Sequence, residues 1–432
     1  MGTLEQMKTV MRESFLHYLW RTRRFDTQNL CTTEAQPVEI YVVGEHNTHA
    51  GPDFFNARLR IGDTLWAGNI EMHLKSSEWL SHGHSSDPAY DNVVLHVVLL
   101  EDQPVIRSNG ERIPCIELQD RIPILLLTQY EQLDREMAWV PCENFICNVP
   151  KIIWLNWLDR LLVERLEEKT KSVAQALDAT ENHWEEAFYR QLARNFGLKV
   201  NAEPFEALAR SLPLIILSRH RHSLLQLEAL VFGQAGLLEG SFKDDWPKTL
   251  SKEYRHLAHK YGLTPLAPGQ WKFLRLRPAN FPTLRLAQFA SLIHQSAQLF
   301  ARVLDAEHLR AIENLFNATP SEYWLNHFQF DKASINRSKQ LGNEFIHLLL
   351  INTIVPFLFH FGKTRDHAGL QKRALAFMEA LPPETNSILD HWKKLGVPVG
   401  HAFQSQALIH LKTRYCDQKK CLECAVGNAI LK

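Results

Sequence analysis

Glu71, His73 and Lys75 alternate along the chain with Ile70, Met72 and Leu74. In a β-strand a period of two puts the first three on one face and the three apolar residues on the other. A second carboxylate, Asp53, follows Pro52 at the head of the preceding β-forming run. Two carboxylates flanking a backbone carbonyl can hold a hard divalent cation, Mg²⁺ or Mn²⁺, which keeps waters in its remaining positions. An imidazole or ammonium beside them can orient or deprotonate such a water and stabilise charge developing on a phosphate. These residue types therefore point to metal-dependent phosphodiester hydrolysis. Asp53 and Glu71 would be the ligands, and His73 or Lys75 would position the attacking water.

Two further groups have metal-ligating chemistry. His82 and His84, in His-x-His spacing, suit Zn²⁺ with Asp87 or His73 completing the site, which gives a rival expectation of a zinc-dependent hydrolase. They belong to a His-rich window that also holds His46, His49 and His96; His96, alone in an apolar run, reads as a paired core histidine. Cys416, Cys421 and Cys424 form Cys-x4-Cys-x2-Cys. Three thiolates that close can share a Zn²⁺ or an iron–sulfur cluster, with Cys142, Cys147 or His410 as the source of a fourth ligand. Residues 251–290 carry seven Lys and Arg against one acid, interleaved with Trp271, Phe273 and Phe281. Arg275, Arg277 and Arg285 in that company can grip phosphates beside stacked bases. They can equally cap helices over a core that the aromatics fill.

The elements that must position these groups follow from periodicity. The first 25 residues read as an amphipathic helix, with Met7, Val10, Met11, Phe15, Tyr18 and Leu19 recurring at three- and four-residue spacing. Residues 38–43 read as a strand, and 56–61 with 64–74 as a hairpin joined at Gly62-Asp63. Residues 76–92 are a polar loop or short helix, 93–100 a buried strand, and 104–118 a further hairpin around Asn109-Gly110. Beyond residue 122 helical periodicity takes over, punctuated by Gly and Pro at Phe196-Gly197, Phe232-Gly233, Arg277-Pro278 and Leu381-Pro382-Pro383. The expected fold class is an α+β domain over residues 1–145, then a large all-helical domain over 146–432 that ends in the Cys cluster.

Composition bounds the function. A chain of 432 residues, 45% hydrophobic and 22% charged, is neither disordered nor fibrous. Its 48 basic residues balance 48 acidic ones, so any nucleic-acid binding must come from a local patch. Seven unevenly spaced cysteines do not form a secreted disulfide framework. Neither Gly-x-Gly-x-x-Gly nor a phosphate-cradling Gly-x-x-x-x-Gly-Lys loop occurs, and Gly-x-Ser-x-Gly is absent. No apolar run reaches the roughly 20 residues of a membrane span, and the N-terminus lacks a signal core. A cytoplasmic protein without membrane contact is expected.

Asp53, then Glu71 with basic positions after it, on a helix–three strands–helix–strand order, resemble the PD-(D/E)XK nuclease superfamily. The motif is written here Pro52-Asp53 … Glu71-Met72-His73, with His73 at the superfamily's Lys position and the nearest Lys two residues on. The resemblance implies a restriction-endonuclease-like αβββαβ domain and a Mg²⁺-activated water. Some nucleases of that superfamily place one Cys upstream and three near the C-terminus around an iron–sulfur cluster, a layout that Cys142 with Cys416, Cys421 and Cys424 resembles. End to end, the chain also resembles the family catalogued as domain of unknown function 2851. The carriers are Gly51-Pro52-Asp53-Phe54, Gly68-Asn69-Ile70-Glu71-Met72-His73, Trp79 with His82, the run from Asp87-Pro88 to Val97-Val98, Arg277-Pro278-Ala279-Asn280-Phe281-Pro282 and the Cys cluster. That family implies no activity. The alternative from another class is a non-catalytic nucleic-acid-binding or scaffold protein using the same cleft.

Overall fold

The computed structural model describes residues 11–431 apart from Ser108, Glu136 and Met137. The chain divides into two compact units, one of residues 1–157 with 411–432 and one of residues 158–410. The division falls some way after the change of periodicity, and the Cys-bearing tail sorts with the sheet unit, whereas the sequence pattern assigns it to the helices.

In the first unit, helix α1 (Glu13–Thr22) buries Phe15, Tyr18 and Leu19 of the expected stripe and, beside them, Leu16 and Trp20. Met7 and Val10 lie outside the described residues. The strands are β1 (Val38–Val42), β2 (Glu45–His46), β3 (Phe54–Ile61), β4 (Thr64–Lys75), β5 (Val93–Leu100) and β6 (Cys115–Glu117). They form one sheet in the order β1-β3-β4-β5-β6, with β2 added to β3. β3 and β4 are an antiparallel hairpin closing at Ile61 and Thr64. β4 pairs with β5, and β5 with β6, in parallel.

A parallel pair needs a crossover. Here it runs through α2 (Glu78–Ser81) and two 3-10 turns, His84–Ser86 and Pro88–Tyr90. β5 is buried through its first seven residues, which explains its unbroken apolar reading. Of the hairpin expected over 104–118 only the tip around Asn109-Gly110 forms: the Arg107 N–H donates to the Glu111 carbonyl and the Ile113 N–H to that of Val105, a bridge joins Ile106 to Arg112, and Cys115–Glu117 pairs with β5 instead. Pro104 and Pro114 flank that bridge and cannot donate to a continuing ladder.

The second unit is helical with one small exception, the two-stranded pair His327–Gln329 and Lys332–Ala333, so it is not all-helical as expected. The punctuation expected at Phe232-Gly233 falls at the end of the helix Leu224–Gln234, where Gly233 is the next-to-last residue; a Cβ there would meet the Tyr254 ring at 2.0 Å, so the glycine also admits a neighbouring aromatic. The helical run Asn343–Thr364 is long and apolar enough to cross a membrane by length and composition, and most of its apolar window is buried in the unit.

Candidate functional site

Glu71 and His73 share the buried polar face of β4, 4% and 1% exposed. The Asp53 carboxylate reaches them because β3 carries a bulge. Its register with β4 shifts between Phe54 and Ala57, and Asn56 takes a left-handed φ of 58°, a local re-aiming typical of bulges. The Asp53 N–H then donates to Glu71 Oε2 at 3.2 Å, and Asp53 Oδ2 accepts the Met72 N–H at 2.9 Å. On the other side Gly68 lets β5 approach: a Cβ there would lie 2.4 Å from Val94 Cγ1 and 2.7 Å from the Asn92 carbonyl.

The crossover brings the remaining imidazoles. Glu78 stops β4 by accepting the N–H groups of Leu74 and Lys75, and the chain turns at once into α2. Trp79 anchors the crossover, donating to Ser85 Oγ and packing edge-on against His84, His96 and Tyr90. His84 stacks on Tyr90 with ring centres 3.8 Å apart. The outcome is a tight donor set. Glu71 Oε1 lies 3.2 Å from His84 Nε2 and 3.6 Å from His73 Nε2, and His73 Nε2 lies 3.2 Å from His82 Nδ1. Behind it, His73 Nδ1 meets His96 Nε2 at 2.8 Å. If His73 donates in that contact, its Nε2 lone pair faces the donor set, the orientation that a second imidazole imposes on a metal ligand.

A second triad adjoins the first. Glu13 and His17, one turn apart on α1, lie with Asp53 as a possible metal-binding group, as His73, His82 and His84 do. His17 Nε2 is 3.3 Å from Asp53 Oδ2, and His17 Nδ1 is 3.4 Å from His46 Nε2. The sequence reading missed Glu13 and His17. Their signal was a polar i, i+4 pair on an otherwise core-facing helix.

Burial disfavours charge on the groups of this cluster. Burial, and then the Asp53 carboxylate, push the Glu71 carboxyl up to about 9. Burial, then the imidazoles of His96, His84 and His82, hold His73 down at about 2, and burial holds His96 at about 3. Burial also lowers His84 and raises Glu13. Neutral imidazoles are the ligating form. His17 Nε2 and His84 Nε2 are buried without a well-formed hydrogen bond, although each stands 3.2–3.3 Å from a carboxylate oxygen. Two ligands of one tetrahedral ion at about 2.1 Å are about 3.4 Å apart, so these separations fit atoms that share a cation.

Not every expected residue joins. Lys75 is exposed at the end of β4, and among the described residues no contact ties its ammonium to Glu71 or Asp53. Asp87 caps a 3-10 turn through the Ala89 N–H. Arg285 is not on a nucleic-acid surface. It is 6% exposed, lies over Phe345 at 3.5 Å, and donates to Gln288 Oε1 and Asn280 Oδ1. Burial pulls its pKa down to about 10. Trp271 is likewise core, donating to the Ala235 carbonyl. Arg275 and Arg277 are exposed. No disulfide joins the cysteines: Cys142 and Cys424 are buried, Cys416 and Cys421 half-buried, and Cys147 exposed.

No curated protein and no solved structure matches the chain. The family model described as protein of unknown function (DUF2851) matches residues 13–387, most of the sequence, and the chain belongs to that family.

Proposed function

We propose that the chain is a metal-dependent hydrolase of phosphodiester bonds in nucleic acid, working at the Glu71 cluster. The observation that carries the reading is the donor set of Glu71 Oε1, His73 Nε2, His82 Nδ1 and His84 Nε2, with successive separations of 3.2–3.6 Å. A divalent ion there would acidify a bound water and polarise a phosphoryl oxygen. The protein's own groups do the rest. His96 orients His73, the Asp53 backbone N–H fixes the Glu71 carboxylate, and His17, between Asp53 and His46, can take a proton from water or return one to a leaving oxygen. An antiparallel β3–β4 pair followed by a parallel crossover to β5, with α1 packed on β4, supports the nuclease-like reading. His73 then stands where that pattern has Lys.

An imidazole-rich set favours Zn²⁺ over Mg²⁺, and this supports a second reading, a zinc hydrolase of a carboxylic ester or amide. One experiment separates the two. The protein is stripped of metal, reloaded with Mg²⁺, Mn²⁺ or Zn²⁺, and assayed on single- and double-stranded DNA and RNA. The expected result is cleavage that requires added metal and falls about a hundredfold or more in Glu71→Gln and Asp53→Asn, with circular dichroism unchanged. Metal-dependent cleavage that survives Glu71→Gln removes the site. Inert nucleic acids with Zn²⁺-dependent ester hydrolysis favour the second reading.

A further inference from the structure

Phe289 and Leu292 stand one turn apart on the helix Pro282–Gln295, and Phe188 lies on the helix Trp184–Phe196. These buried side chains form the base of a cavity of about 890 Å³ within the second unit, a size in the range of about 300–1,000 Å³ that small-molecule sites occupy. Its walls are apolar but not covered: Leu214 and Leu299 are half-buried, and Ile215 is 61% exposed. The acids beside it are mostly spent. Glu185 accepts the N–H groups of Phe300 and Ala301 at the head of the helix Leu299–Asp305. Glu186 accepts the Leu214 N–H at the head of the helix Leu214–Arg219 and pairs with Arg190. Each of these carboxylates faces a helix N-terminus that compensates its charge, and Glu181 is exposed on the rim. Arg221, which also lines the cavity, differs. Its carbonyl is pinned by His294 Nδ1 at 2.6 Å, yet among the described residues no hydrogen bond, ion pair or ring contact engages its guanidinium.

We infer that this cavity binds an amphipathic carboxylate, an apolar chain that covers Leu214, Ile215 and Leu299 and carries its anionic head on Arg221. The chemistry of the lining selects that class. An apolar body removes exposed hydrocarbon from water, and one planar guanidinium matches one carboxylate through two parallel N–H···O bonds. A sugar or other polyol finds few partners, because the hydroxyls at the cavity already serve the protein. Tyr189 donates to the Leu212 carbonyl and Ser218 to that of Leu214. A nucleotide brings several phosphate charges to a single uncommitted arginine. The cavity belongs to the second unit and the Glu71 cluster to the first, so each assignment can fail without the other.

The test is calorimetric titration of the 432-residue protein with decanoate and with decylamine, which share a chain and differ in the sign of the head. The expected result is one saturable decanoate site per chain, with decylamine weaker by about tenfold or more. Arg221→Gln should weaken decanoate by about tenfold, and Arg221→Lys, which keeps the charge and loses the fork, by less. Ser218 is exposed where it lines the cavity, so Ser218→Trp should block the mouth and abolish binding while leaving circular dichroism and the melting temperature unchanged. Glu71→Gln should bind decanoate as the wild type does. Absence of saturable binding, decylamine as tight as decanoate, or a decanoate affinity untouched by either Arg221→Gln or Ser218→Trp overturns the inference.

Discussion

A buried carboxyl pushed up to about 9 and a buried imidazole held near 2 give the metal-free protein an uncommon dependence on pH. Glu71 has a raised folded pKa, so its contribution is fully present below about 4.5 and is lost as pH climbs toward 9. His73 has a depressed folded pKa, so its contribution is present above about 6.5 and is lost as pH falls toward 2. Between about 4.5 and 6.5 the slopes oppose each other, and the imidazoles outnumber the carboxyl because His96 is depressed as well, to about 3. Thermal stability without metal should therefore rise with pH up to about 6.5 and decline above it. Glu71→Gln should remove most of the alkaline decline, because an amide has no proton to lose. Adding the bound metal at a hundred times its Kd should return about 2.7 kcal/mol to the wild type at pH 8 and much less to the variant. Melting curves from pH 5 to 9 read this directly; coincident alkaline limbs would mean that Glu71 ionises freely. The strand period made Glu71 and His73 legible together, because alternation fixes which residues share a face whatever the tertiary fold. It failed for Lys75, where β4 ends and parity no longer brings a side chain to the cluster. It was silent on Glu13 and His17, which reach Asp53 only through the docking of α1.

Local patterning predicted the hairpin at Gly62-Asp63 and the buried β5, since turn chemistry and apolar runs are short-range signals. The bulge at Asn56 and the parallel placement of β6 are partner-dependent, and a single strand carries no mark of its neighbour. Gly68 is the sharpest case at this scale. It reads as an ordinary glycine in a strand, yet Asn92 and Val94 occupy the space of its missing side chain, and the Asn69 N–H bonds the Asn92 carbonyl at 2.8 Å. Gly68→Ala should force β5 outward at its start, costing about 1–3 kcal/mol by overpacking and loosening the crossover that carries His82 and His84. A denaturant midpoint lowered accordingly, with reduced metal affinity at the Glu71 cluster, is the expected pair of results. An unchanged midpoint would show that the start of β5 yields without cost.

Across the whole chain, the switch from strand to helix periodicity near residue 122 is a property of composition and was visible in sequence. The allegiance of the tail was not, because residues 411–432 are helix- and turn-forming like those before them, and only three-dimensional packing sorts them with the sheet. That packing includes polar ties and apolar burial: Lys419 donates to the Asp134 carbonyl, Arg24 to that of Leu431, and Leu411, Val426 and Leu431 are buried. Removing residues 411–432 should therefore weaken the first unit selectively. Amide exchange measured on the truncated chain should accelerate in Val93–Leu100, the most buried strand, where protection reports opening of the sheet. Protection in Pro282–Gln295, a helix of the second unit buried along nearly its whole length, should stay close to that of the intact protein. Equal losses in both segments would mean that the tail supports the helical unit as well, and an unaffected β5 would mean that the sheet stands without it.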